Sequence, residues 1–346
     1  MFRKMFSALL FSSVLFQVSC APVYYEGPVS DHFDGQQFYN PGQNNSTTFK
    51  DSLIWMLRRD RPAWPEYREL SAYDQPPERV NGRELRLAYV GHVSVLLQSH
   101  GLNILFDPVW SDRASPVTWA GPKRAHPPGI RFDELPPIDV VLLTHSHYDH
   151  MDIPFLRQLW ERDRPRIIAP LGNDNVIQRK LPQVQVETYD WGGQARLNAE
   201  LIVHLTPALH WSARSVWDRK KALWASFVLE TPEGNLYLVG DTAYGNGDLF
   251  RQAARQYGPF RLALLPIGAY VPRWFMRDHH MNPHEAVQAH RLLGARYSIP
   301  VHYGTFPLAD DRYDAPLKDL RLALQEQQVP AEQFRIMEPG TYWLVP

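Results

Sequence analysis

The stretch Thr144-His145-Ser146-His147-Tyr148-Asp149-His150 decides the reading of this chain. Three histidines and one aspartate fall within six residues. With 14 histidines in 346 residues, chance would give H-x-H-x-D-H in roughly one such chain in a thousand. The motif directly follows Ile138–Leu143, a largely apolar run that reads as a buried strand. Alternate side chains at a strand end point the same way, so His145 and His147 can face one ion. The chain then turns, and Asp149 and His150 point toward a second. Imidazole and carboxylate donors without thiolate suit Zn²⁺, with Fe or Mn as alternatives. A polar turn of surface histidines is the competing reading, and the density of donors argues against it.

Two ions need more ligands. His210 follows the apolar run Leu201–Leu205, Asp241 follows Leu236–Val239, and His302 follows Ile299-Pro300-Val301. A single His or Asp after a strand is usually a capping or hydrogen-bonding residue. Three of them beside the first motif are better read as ligands converging on one edge of a sandwich.

The elements around them support a layered fold. Leu87–Val90, Val93–Leu97 and Leu102–Phe106 read as consecutive strands with turns at Gly91 and Gly101. A Pro-rich loop, Asp107–Pro137, precedes the strand that carries the motif. Further strands are expected at Arg166–Ala169, Leu201–Leu205, Leu223–Leu229, Leu236–Val239, Leu262–Ile267, Ile299–Val301 and Phe334–Met337. Helices are expected at Ile153–Trp160, Pro283–Leu293 and Ala315–Gln327. Strands come in runs first and alternate with helices later, which predicts an α+β mixed sandwich covered by helices. Residues 81–346 form this domain. Residues 20–80, rich in Pro, Asp, Asn, Tyr and Trp, read as an extended N-terminal arm with a short helix or turn near Leu53–Leu57.

The ordered set H-x-H-x-D-H, His, Asp, His resembles the metallo-β-lactamase superfamily. That resemblance implies an αββα sandwich with a dinuclear centre between the sheets. It implies that His145, His147 and His210 hold one metal, that Asp149, His150 and His302 hold the other, and that Asp241 bridges. Asp107 matches an early aspartate that supports the site. Several flanking stretches are similar to the N-acylphosphatidylethanolamine-hydrolysing phospholipase D branch: Ser30–Gly35, Asp107–Pro116, Trp119–Arg124, His145–Asp152, Pro272–Met276 and Val301–Phe306. For that branch the implied reaction is attack of a metal-bridging hydroxide on a phosphodiester, giving phosphatidic acid and an N-acylethanolamine. Two Zn²⁺ lower the pKa of bound water to about 7 and polarise the phosphoryl oxygen. Asp149 or Asp241 would move the proton. His280 matches a pocket histidine of the branch that stabilises the phosphate or protonates the leaving alkoxide. Its competing reading is a surface residue at a helix start capped by Asn282 and Pro283. His279 and His284 are read as surface residues.

Trp110, Trp119, Trp211 and Trp274 are the candidate substrate contacts. They could line an acyl-chain groove, meet a membrane interface, or pack the core. Arg113, Lys123 and Arg124 could meet lipid phosphate.

The N-terminus reads as an address. Arg3 and Lys4 precede the apolar stretch Met5–Phe16, which is shorter than the ~20 apolar residues of a membrane span. The only cysteine, Cys20, follows Ser19 at the end of that stretch, as at a bacterial lipoprotein cleavage site. Residues 1–19 would be removed and Cys20 lipidated. Ala21 would be compatible with a periplasm-facing outer-membrane lipoprotein. The lipid anchor would hold the enzyme at its membrane phospholipid substrate. One cysteine excludes an intrachain disulfide and Cys-based zinc fingers. Balanced charge, 36 Lys+Arg against 37 Asp+Glu, argues against a nucleic-acid partner. The competing functions are a metal hydrolase of another ester, such as a lactone or a soluble phosphodiester, and a non-catalytic envelope scaffold.

Overall fold

The computed structural model describes residues 22–42 and 49–346. The expected leader, residues 1–19, and Cys20 lie outside the described residues.

Two sheets face each other. The first contains β1 (Leu85–Gly91), β2 (Ser94–Ser99), β3 (Leu102–Phe106), β4 (Val140–Leu142), β5 (Arg166–Pro170) and β6 (Glu187–Tyr189). The second contains β7 (Gln194–Arg196), β8 (Ile202–Thr206), β9 (Ser226–Glu230), β10 (Asn235–Leu238), β11 (Phe260–Pro266) and β12 (Tyr297–Val301). The last strand, β13 (Thr341–Val345), returns to the first sheet and pairs antiparallel with β1. The strands β1 to β3 are antiparallel neighbours, whereas β3 to β6 run parallel.

The facing sides form one core. Leu87, Val95, Phe106 and Leu142 meet Val203, Phe227, Leu238 and Leu264. Helices close both outer sides. Leu96, Leu105, Val141 and Ile167 pack beneath α2 (Ile153–Asp163) and α3 (Asn173–Gln178). Val228, Tyr237 and Ala263 pack beneath α4 (Asp248–Tyr257), α6 (Pro283–Leu293) and α7 (Ala315–Glu326). With both faces covered, all seven residues of β1 are buried. This is the expected αββα sandwich. Helix boundaries follow local chemistry. Asp152 caps α2 by accepting from Phe155 N–H, and Asn282 and Glu285 form a reciprocal capping box on α6.

Some expectations shift. Phe334–Met337 is not a ladder strand; only Phe334 bridges to Ser298. The true final strand starts after Pro339-Gly340, where Gly340 N–H bonds the Tyr89 carbonyl. Its outward residues Tyr342 and Leu344 stay exposed, which hides the period of an edge strand. The predicted strand Leu223–Leu229 begins at Ser226, because Leu223 and Trp224 turn into a separate cluster with arm residues. The helix α4 was not foreseen, since its sequence DLFRQAARQY is mostly polar and buries only Phe250 and Ala253.

The arm is part of the packing. Its helix α1 (Phe49–Arg58) covers Leu53–Leu57 and meets the short α5 (Arg273–Met276) through Trp55, stacked 4.9 Å from Phe275. Phe33 and Phe38 are buried against Ala208, Leu223 and Trp224. Asp74 pairs with Arg86 of β1, both side chains at most 5% exposed. Among the described residues no helix is long and apolar enough to cross a membrane.

Asp74→Ala leaves the Arg86 guanidinium buried without its counter-charge. The loss expected is about 3–5 kcal/mol of folding stability. Denaturant titration, with the midpoint shifted and the slope kept, measures it.

Candidate metal centre

The strands β4, β8, β10 and β12 all end on one rim of the sandwich, and each hands the chain to a loop that carries a donor. His145 follows β4, His210 follows β8, Asp241 follows β10 and His302 follows β12. Close approach of backbones makes this possible. A Cβ on Gly240 would lie 2.3 Å from Thr144 Oγ1, and one on Gly268 would lie 1.9 Å from the His302 carbonyl oxygen. The Asp241 loop therefore packs onto the H-x-H-x-D-H loop without an intervening side chain.

The seven residues expected as ligands come together in two groups that could each hold an ion. One is His145, His147, His210 and Asp241. His145 Nε2 lies 2.9 Å from His147 Nδ1, and His210 Nε2 lies 3.3 Å from the same atom. The other contains Asp149, His150 and His302, joined by His92. Asp241 reaches both: its Oδ2 lies 3.5 Å from His210 Nε2 and 3.2 Å from His150 Nε2, and its Oδ1 lies 3.2 Å from His302 Nε2.

The outer atoms of the rings are tied down. His150 Nδ1 donates to Asp107 Oδ2 at 2.7 Å, and His210 Nδ1 donates to the His279 carbonyl at 3.0 Å. Each bond fixes a tautomer and turns Nε2 inward. Asp107 is fully buried, sits at φ 38°, and also accepts from Thr144 N–H and Oγ1–H. One carboxylate thus positions both the start and the end of the motif loop.

Inside, His150 Nε2, His280 Nδ1 and Asp241 Oδ1 are buried without a hydrogen bond. Charge points the same way. Burial alone would raise Asp149 and Asp241, yet the surrounding imidazoles hold both well below the usual carboxylate range. Burial likewise opposes charge on His150 and His302, but Asp241 and Asp149 override it. His150 is pushed well above its ordinary value and His302 up to about 9. In the first group burial wins, so His145 and His210 fall well below and His147 falls to about 4. Protons gather where two carboxylates need positive charge. The donors fit divalent cations, which would displace those protons.

His92 was not singled out from the sequence. It occupies the β1–β2 turn at φ 58°, its Nε2 lies 3.0 Å from Asp149 Oδ2, and its carbonyl accepts from His302 N–H. The signal available was a lone histidine after Gly91, indistinguishable from any turn residue. Arg214 was also missed; its Nη1 donates to the Ser146 and Met151 carbonyls, bracing the motif loop from outside.

His280 is drawn into the centre, with Nδ1 3.8 Å from Asp241 Oδ1. His279, expected at the surface, is buried, because its carbonyl is the anchor of His210; His284 is exposed as expected. The aromatic candidates do not converge. Trp211 meets the His147 ring edge-on at 4.6 Å, under the Arg219 guanidinium. Trp110 instead stacks on Phe155 of α2 at 4.3 Å and donates its indole N–H to the Ile130 carbonyl, which commits it to packing. Trp119 and Trp274 are 79% and 51% exposed.

His92→Ala removes the hydrogen bond that orients Asp149. The expected outcome is a metal affinity lowered about 10–100-fold at the Asp149/His150/His302 group. The His145/His147/His210 group should keep its ion. Metal content after dialysis against graded chelator reads both.

Known proteins are similar to this chain. The family described as a beta-lactamase superfamily domain matches residues 102–303. An uncharacterized protein of Mycobacterium tuberculosis is 39% identical over 255 residues, covering 72% of this chain and 67% of its own length. The N-acyl-phosphatidylethanolamine-hydrolyzing phospholipase D 1 of Caenorhabditis elegans is 34% identical over 266 residues, covering 74% of each chain. Among solved structures, Igni18, a metallo hydrolase from the archaeon Ignicoccus hospitalis, superposes with a TM-score of 0.56 at 22% identity, over 75% of this chain and 97% of its own. The fold, the ordered donors and these relatives agree: the chain is a metal-dependent hydrolase that belongs to the metallo-β-lactamase superfamily, in the branch similar to N-acylphosphatidylethanolamine-hydrolysing phospholipase D.

Proposed function

We propose that this protein is a zinc-dependent phosphodiesterase of phospholipase D type. Its substrates are N-acylphosphatidylethanolamine-like lipids, and its products are phosphatidic acid and an N-acylethanolamine. The observation that carries the reading is the pair of donor groups sharing Asp241, together with a pocket histidine, His280, on the same carboxylate. A relative named for this reaction, 34% identical over most of its length, supports the substrate.

His145, His147, His210 and Asp241 would hold one Zn²⁺, and Asp149, His150, His302 and Asp241 the other. The ions supply a nucleophile from water at neutral pH and neutralise charge on the phosphoryl oxygens. The chain's residues do the rest. Asp241 and Asp149 are ionised across the physiological range and can accept the proton released from water. Burial, the larger influence, holds His280 down at about 4 against the pull of Asp241, so it is neutral at pH 7. A neutral imidazole can donate a hydrogen bond to a phosphoryl oxygen or to the departing alkoxide. Trp211 walls the approach beside His147, where an acyl or headgroup methylene could pack. A lipoprotein anchor at Cys20 would keep the enzyme on the envelope membrane that holds the substrate.

The full chain, loaded with zinc and mixed with N-acylphosphatidylethanolamine in detergent, should release phosphatidic acid and N-acylethanolamine, read by mass spectrometry. Asp241→Asn should lower the rate at least about 100-fold with the fold intact. Near-wild-type turnover of that variant would sink the dinuclear mechanism. A zinc-loaded protein that releases neither product would return the substrate to lactones or soluble phosphodiesters. His280→Ala should lower kcat about 100-fold while both metals stay bound.

A further inference from the structure

A groove of about 910 Å³ lies on the outer side of the motif loop. Tyr148, which sits between His147 and Asp149, is part of its wall, and so is Arg214. The groove is cationic: Arg113, Arg157, Arg179, Lys180 and Arg214 line it against two carboxylates, Asp152 and Asp218. Both carboxylates are already committed. Asp152 accepts from the backbone N–H groups of Trp110, Ser111 and Phe155. Asp218 accepts from Tyr24 Oη–H and from the N–H groups of Arg214 and Ser215. None of the five cations forms an ion pair among the described residues, and Arg157, Arg179 and Lys180 are exposed. A chain of net charge −1 therefore concentrates unpaired positive charge beside its metal loop.

Two loops that line the groove also carry exposed apolar residues. The loop that supplies Ser115 and Pro116 continues into Val117 and Trp119, 36% and 79% exposed. Arg113 stiffens that loop by donating to the Thr118 and Gly121 carbonyls. The loop that supplies Ser215 and Asp218 carries Val216 and Trp217 between them, 77% and 71% exposed. Tryptophan at an exposed rim is suited to the boundary between headgroups and acyl chains.

We infer that this face is a docking surface for an anionic bilayer: the exposed Arg157, Arg179 and Lys180 take lipid phosphate groups, and Trp119 and Trp217 enter the interface. Charge complementarity and the paired exposed tryptophans select a lipid surface over a protein partner or a soluble anion. Docked this way, the motif loop faces the membrane. The inference rests on the phosphodiesterase reading only for what is presented to the metals; the docking itself is independent of it.

The test uses the full, zinc-loaded chain with Cys20→Ser, so that no acyl anchor contributes. Cosedimentation is measured with vesicles of phosphatidylcholine alone and with added phosphatidylglycerol. Binding should rise with phosphatidylglycerol and fall with salt. Each cation at an anionic surface strengthens binding about fivefold, so R157Q/R179Q/K180Q should weaken it about 100-fold. The charge-keeping variant R157K/R179K/K180R should bind like the parent, which separates charge from misfolding. Trp217→Ser should weaken binding on both vesicle types. Equal binding to neutral and anionic vesicles, or an unaffected charge-removed variant, overturns the proposal. So does full displacement by soluble glycerol phosphate, which would mark a small-anion site. Hydrolysis in detergent is measured on the same samples: loss of binding with hydrolysis intact is a failure of docking alone, and binding without any lipid hydrolysis is a failure of the proposed reaction alone.

Discussion

Two ionised carboxylates, Asp149 and Asp241, are buried at the meeting of two sheets, and their need for positive charge governs the centre. Burial leaves them little solvation, so neighbouring positive charge must satisfy them. Histidines from five loops close around them, and the two carboxylates push His150 and His302 up from the ordinary imidazole range. The remaining imidazoles are kept neutral and therefore ready to coordinate. The surrounding structure serves this arrangement. Left-handed backbone at His92, Asp107 and His302 aims side chains or carbonyls that an extended strand would direct elsewhere. Gly240 and Gly268 remove the bulk that would separate the loops.

Much of this was legible in the chain because ligand chemistry is dense and strand ends are abrupt. Apolar runs that stop at His145, His210, Asp241 and His302 mark the rim directly. The supporting residues were not legible. His92 looks like any residue after a turn glycine, and its role appears only when the ends of β1 and β12, from opposite sheets, meet through the His302 N–H and the His92 carbonyl. His279 contributes a carbonyl, which carries no side-chain signature. Arg214 is one of many arginines until its guanidinium is seen over Tyr148 at 3.8 Å. Elements such as α4 and the edge strand β13 escaped for a related reason: tertiary contact, not local pattern, fixes them.

The aromatic residues show how composition can mislead. Trp110, Trp119, Trp211 and Trp274 share a residue type and a proximity in sequence to the motifs, yet they serve different surroundings. Trp110 spends its N–H and its ring face inside the helical layer. Trp211 borders the donors. Trp119 is held outward by a loop that Arg113 keeps in shape. The free hydrogen-bonding capacity of each indole, and not its hydrophobicity, separates packing from contact.

Arg214 joins two regions with one side chain. Its guanidinium forms part of the cationic groove while its Nη1 holds the carbonyls of Ser146 and Met151, on either side of three donors. A ligand that pulls this guanidinium outward does so at the expense of those carbonyls, and a cation that tightens the loop restricts the guanidinium in return. A groove ligand that moved Arg214 in this way would be coupled to occupancy of the centre by one free energy, the same in both directions.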